Sequence, residues 1–169
     1  MHRDLELLVA ERRIRAVINS YARGIDRLDF ELVRSCYWPE GTDDHGGYVG
    51  GVDGFIDYVK MALARFTRTN HFLGNCLIDV DLDGGIARAE TYCVAYHRKV
   101  EADGEVVDMT AGLRYVDRFE RRGDDWRIAR RVVAYDWRRH DALEGDGEFA
   151  ATYVRGIRST EDIVYHILD

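Results

Sequence analysis

The chain has 169 residues and a net charge of −7, with a pI near 5.4. That length is enough for one domain with a core of its own. Hydrophobic residues make up 46% and charged residues 33%, which excludes disorder and coiled coil. The acidic balance argues against a nucleic-acid partner, because that affinity comes largely from Lys and Arg neutralising phosphates. Arg127, Arg130, Arg131, Arg138 and Arg139 form the one local exception. They alternate along a strand among many carboxylates, so ion pairs on the sheet are expected.

The first predicted element is an amphipathic helix over about 4–26. Leu5, Leu8, Val9, Ile14, Val17, Ile18, Tyr21 and Ile25 recur at spacings of three and four, the stripe of a helix with one buried face. Asp29 is a candidate N-cap for a short second helix through Cys36, which Trp38-Pro39 ends. Residues 40–51 are polar and glycine-rich, with Tyr48 and Val49 as candidate strand residues. Asp53 is a candidate cap for a third helix carrying Phe55, Ile56, Val59, Leu63 and Phe66.

The rest reads as long strands over about 68–82, 85–100, 105–121 and 125–139. Asp83-Gly84-Gly85, Asp103-Gly104 and Gly123-Asp124 mark the turns. Short turns between long strands imply antiparallel hairpins. The order predicts an α+β domain over 1–140, a curved antiparallel sheet with N-terminal helices enclosing an apolar pocket. A tail over 141–169 begins Leu143-Glu144-Gly145-Asp146-Gly147 and later carries Tyr153, Val154, Ile157, Ile163, Val164, Ile167 and Leu168. It is too apolar to be solvated and is expected to dock on its own or a neighbouring subunit.

Cys36, Cys76 and Cys93 form no CxxC pair, fitting neither a zinc site nor a disulfide framework but free thiols in a reducing cytoplasm. No apolar run approaches the ~20 residues that span a bilayer, so no membrane partner is expected. The charged start of the chain does not read as a secretory signal. Asp43-Asp44-His45 has no metal-ligand spacing, so no metal is expected.

Three side chains could carry chemistry. Asp26 lies beside the buried helical stripe, where a carboxylate is costly unless paired; it either reaches a functional partner or pairs with Arg23 or Arg27. His71 shares a strand face with Leu73, Asn75 and Leu77. It is either structural or, with a carboxylate, an oriented base. Arg131 falls on one face of the last strand with Ala129, Val133, Tyr135 and Trp137. A guanidinium there needs either an internal acid or an anionic substrate.

Four stretches together resemble the SnoaL-like family, which has the nuclear-transport-factor-2-like, cystatin-like cone fold. They are Ile14 to Asp29, Thr69-Asn70-His71-Phe72-Leu73-Gly74-Asn75, Gly112 to Glu120, and Trp126 to Arg131. The likeness runs over about 8–137 and is nearest the group holding hexachlorocyclohexane dehydrochlorinase, scytalone dehydratase and bile acid dehydratase. It implies elimination or isomerisation on a small apolar cyclic substrate, without a cofactor, through Asp26 and His71 as catalytic pair. It places Tyr21, Arg131 and His97 in the substrate pocket, and Tyr135 joins them from the Arg131 face. The same fold also serves as the small subunit of aromatic-ring-hydroxylating dioxygenases and as non-catalytic binding modules. An outer sheet face carrying Val107, Met109, Leu113, Tyr115 or their alternates suggests a homodimer or homotrimer.

Overall fold

The computed structural model describes residues 1–143 and 149–167. The expected Glu144-Gly145-Asp146-Gly147 segment and Leu168 lie outside the described residues. The first helix, α1, spans His2–Arg27 and ends at Leu28, whose backbone is left-handed (φ 54°). Ala10, Ile14, Ile18, Tyr21, Ala22 and Ile25 form its buried face. The stripe is therefore shorter than the periodicity suggests: Leu5, Leu8 and Val9 are exposed. Asp29 caps α2 (Phe30–Ser35), its carboxylate accepting the Leu32 N–H at 3.0 Å. Helix α3 (Val52–Leu63) has Gly51 as its N-cap, without a side-chain cap. Asp53 sits in its first turn and pairs with Arg34 instead.

Strands β1 (Tyr37–Asp44), β2 (Val49–Gly51), β3 (Arg68–Asp81), β4 (Ile86–Val100), β5 (Val106–Arg122) and β6 (Asp125–Leu143) form one sheet of order β2-β1-β6-β5-β4-β3. The four long strands pair antiparallel through the expected turns. Gly85, Gly104 and Gly123 adopt positive φ there, which residues with a Cβ avoid. Strand β1 corrects the expectation of an irregular segment and of a purely antiparallel sheet. It lies parallel to β6, with Asp43 opposite Arg131 and Asp44 opposite Val132. Pro39 falls where that register is broken, the kind of place a strand tolerates it.

Bulges bend the sheet and change which residues face in. On β6, Ala129 is inserted between the Ile128–Phe119 and Arg130–Arg118 pairs. Asp136 is inserted between the Tyr135–Leu113 and Trp137–Gly112 pairs. Trp126, Ile128, Arg131 and Val133 are consequently all buried, although strict alternation separates the first two from the last two. A bulge at Gly74-Asn75 likewise turns Leu77 to solvent, away from the face of His71.

The core fills the space between the concave sheet face, α1 and α3. Strand β4 presents Ala87, Ala89, Thr91, Cys93 and Ala95 inward. Small side chains there, opposite the ends of two helices, leave volume unfilled. Leu113 and Tyr115 face this core, and their alternates face out. The outer face exposes Phe72, Leu77, Tyr92, Val94, Val116 and Trp137.

Candidate active site

The unfilled volume is a cavity of about 410 Å³, walled by the last turns of α1 and α3, the centre of the sheet and the turn after β1. Tyr21 and Ile25 enter it from α1, His71 from β3, His97 from β4, Tyr115 from β5 and Tyr135 from β6. Three of the expected pocket residues, Tyr21, His97 and Tyr135, thus converge with one member of the expected pair. The wall is apolar and aromatic around a few polar groups, the usual make-up of a small-molecule site.

Asp26 and His71 meet because α1 ends beside β3, the edge strand of the sheet. An edge strand has free backbone N–H groups, and Asp26 accepts one of them, from His71, at 2.9 Å. The other carboxylate oxygen takes the His71 ring Nδ1–H at 2.7 Å. Both side chains are at least nine-tenths buried. Two-point attachment fixes the ring and its tautomer and leaves Nε2 as the free nitrogen. Burial pushes the Asp26 carboxyl up, but the bonds and charge of His71 outweigh it and hold the group below the usual range. Asp26 is therefore a carboxylate, able to stabilise an imidazolium when His71 takes a proton.

His97 lies edge-on to His71, with ring centroids 5.3 Å apart, and packs on Phe66 at 4.7 Å. Burial first, then the neighbouring His71, lowers its pKa to about 3. His97 is thus a neutral wall residue that does not compete for the proton.

Arg131 is elsewhere. It is fully buried, donating from Nε and Nη2 to the two Asp117 oxygens, each at 2.7 Å. Its guanidinium lies 4.0 Å from the Tyr21 ring centroid and 4.1 Å from that of Tyr115. Burial opposes the charged form, but Asp117 holds it charged. The partner is the internal acid, and Arg131 does not line the cavity. It is a post beneath two cavity tyrosines, which corrects its expected place as a substrate contact. The bulge at Ala129 turns it inward at that depth.

His45 also lines the cavity, a residue that sequence reasoning weighed only as a metal ligand. Asp43 and Asp44 do not join it around one point. Asp44 accepts the Gly46 N–H, while Asp43 holds the His45 ring. Among the described residues no group of three or more His, Cys, Asp or Glu is placed to share a metal ion. The missed signal is period two: Tyr37, Gly41 and Asp43 face inward from β1 and His45 follows in step.

The SnoaL-like domain model matches residues 6–132, three-quarters of the chain. The protein belongs to the SnoaL-like family. This SnoaL-like chain is 31% identical over 123 residues to the uncharacterised protein Rv2910c of Mycobacterium tuberculosis, covering 70% of this chain and 80% of that one. Among solved structures it resembles hexachlorocyclohexane dehydrochlorinase LinA-type3 of Novosphingobium barchaimii, with a TM-score of 0.70, 17% identity and coverage of 86% and 98%. It also resembles a candidate scytalone dehydratase of Novosphingobium aromaticivorans, with a TM-score of 0.69, 17% identity and coverage of 88% and 97%. At those identities the likeness establishes the cone fold. No described helix of the SnoaL-like chain is long and apolar enough to cross a membrane.

Proposed function

We propose that this SnoaL-like protein is a lyase or isomerase that abstracts a proton from an activated carbon of a small apolar cyclic substrate, without a cofactor. The observation that carries this reading is the buried 2.7 Å contact between Asp26 and the His71 ring at the wall of an apolar cavity. His71 Nε2 is the base, and Asp26 fixes its tautomer and stabilises the imidazolium. Tyr21 and Tyr115, which burial keeps protonated, are available as neutral hydroxyl donors to charge developing on oxygen. Placement of the dehydrochlorinase and the candidate scytalone dehydratase among the structural neighbours supports an elimination. The exposed apolar outer face suits association of subunits as a homodimer or homotrimer.

The test is a screen of cyclic ketones and cyclic halides for elimination and double-bond migration, followed by variants at the pair. His71→Ala should lower turnover by about a hundredfold or more, as loss of a general base does. Asp26→Asn should give a smaller loss. Retained turnover in a folded His71→Ala protein would remove the catalytic assignment. Tight retention of apolar ligands by wild type, with no conversion of any, would instead favour a binding module.

A further inference from the structure

A third imidazole, His45, faces the same cavity, and like His71 it is held by a buried carboxylate. His45 comes from the turn after β1, His71 from β3, and these strands lie toward opposite edges of the sheet. The His45 Nδ1–H donates to Asp43 Oδ1 at 2.9 Å. The Tyr37 hydroxyl donates to Asp43 Oδ2 at 2.6 Å. Asp43 is 1% exposed and Tyr37 2%. Both oxygens of a buried carboxylate are thus spent on one phenol and one ring, and His45 Nε2 is left toward the cavity.

The turn is built to hold that ring. The His45 N–H donates to the Tyr48 carbonyl at 2.8 Å, and the ring packs 5.2 Å from Phe55. Gly46 has φ +74°, and a Cβ at Gly47 would lie 2.3 Å from the Tyr58 hydroxyl. Glycine suits the left-handed backbone at Gly46, and the Gly47 position leaves room for the Tyr58 hydroxyl, so the turn carries His45 over the cavity. An apolar residue would fill the same space without burying a carboxylate, whose desolvation costs several kcal/mol unless its partners offset it.

An elimination has two ends, and the base serves only one. Halide departs without help, whereas hydroxide must take up a proton as its bond to carbon breaks. We infer that His45, oriented by Asp43 and Tyr37, donates that proton, so the substrate class is a cyclic β-hydroxy carbonyl compound and the reaction a dehydration. The inference rests on the reading of His71 as base. His71 Nε2 takes the proton from the carbon next to the carbonyl. The C–H electron pair becomes the C=C bond. The C–O bond breaks with its pair going to oxygen, which takes the Nε2 proton of the His45 imidazolium and leaves as water. His71 ends protonated and His45 neutral, and exchange of one proton with solvent resets both.

The test uses two cyclohexanones of one skeleton, one with a β-hydroxyl and one with a β-(para-nitrophenoxy) group, both giving the same enone. Nitrophenolate leaves without an acid. His45→Gln should slow release from the hydroxy ketone by about a hundredfold or more, the scale of general acid catalysis, and change the nitrophenoxy ketone less than about threefold. Asp43→Asn and Tyr37→Phe should show weaker losses with the same selectivity. Tyr37→Phe removes one hydroxyl only and serves if Gln at 45 unsettles the turn. His71→Ala should slow both ketones. Equal losses on both ketones in the His45, Asp43 and Tyr37 variants, or no loss on the hydroxy ketone, would overturn the donor role while leaving His71 as base. Wild type inert toward both ketones would sink the elimination reading and this inference with it.

Discussion

Replacing Arg131 by Met tests whether this residue holds the site or touches a substrate. Asp117 would then be a fully buried carboxylate with its cation gone. Breaking such a pair from one side costs about 3–5 kcal/mol. Tyr21 and Tyr115 would also lose a desolvated cation between their rings, worth about 2 kcal/mol or more where water is excluded. Domains of this kind are stable by about 5–15 kcal/mol, so the loss is a large fraction. At about 2–4 °C per kcal/mol for a chain of this length, the midpoint of thermal unfolding should fall by roughly 10–28 °C. Circular dichroism of the single variant and of Arg131→Met combined with Asp117→Leu measures this. The double variant should regain most of the loss, because no charge is left buried. If Arg131→Met stayed within about 1 kcal/mol of wild type, or the double variant were no better than the single, the post would be the wrong description.

Two other substitutions follow from the packing. His97 has its folded pKa lowered to about 3 by burial and by His71, against roughly 6.5 unfolded. Below about pH 6.5 the unfolded chain binds a proton that the folded one refuses, so stability is lost as pH falls through that value toward 3. Between pH 7 and 5 this amounts to about 2 kcal/mol. His97→Gln should flatten that part of the stability curve in urea titrations, and an unchanged slope would refute the cause. Gly24→Ala improves helix propensity by about 1 kcal/mol, yet the added Cβ would sit 2.7 Å from Val33 Cγ2 and 3.0 Å from the Asp29 carbonyl oxygen. Backbone cannot yield as a side-chain tip can, and overpacking costs about 1–3 kcal/mol. Urea titration should therefore show net destabilisation, and a gain in stability would mean that α2 shifts freely.

What could be read in the sequence divides along physical lines. Spacings of three and four located α1, and turn residues located three hairpins, because these signals are local and repeated. Asp26 and His71 were legible as candidates. Their contact was implied only by resemblance, since the sequence does not state that α1 ends beside an edge strand. Arg131 was placed on the right side of the wrong neighbours, because a bulge adds one residue without any composition signal at Ala129. Strand β1 was missed for a related reason. Its residues Pro39 and Gly41 disfavour strands, and it is held by parallel pairing to β6, ninety positions away, rather than by its own propensity. With β1 unseen, Asp43 and His45 could not be read as neighbours on one face.

The C-terminal segment bears on the site although none of its described residues lines the cavity that His71 and Tyr21 enter. The Tyr165 hydroxyl donates to Asp29 Oδ2 at 3.0 Å, and Arg27 pairs with Asp162 at 3.2 Å. Arg158 donates to the Phe66 and Leu63 carbonyls at the end of α3. These contacts lie within the one chain and tie the end of α1 to the end of α3, the two helical walls of the cavity. Asp26 is one residue from Arg27, so the segment fastens the helix end that carries the carboxylate. A base oriented at 2.7 Å is useful only if helix and edge strand keep their distance, because proton transfer depends on reach before it depends on pKa. The segment is thus fastened near Asp26 by polar and charged side chains, while Tyr153, Val154, Ile157, Ile163 and Ile167, expected to be covered, are exposed.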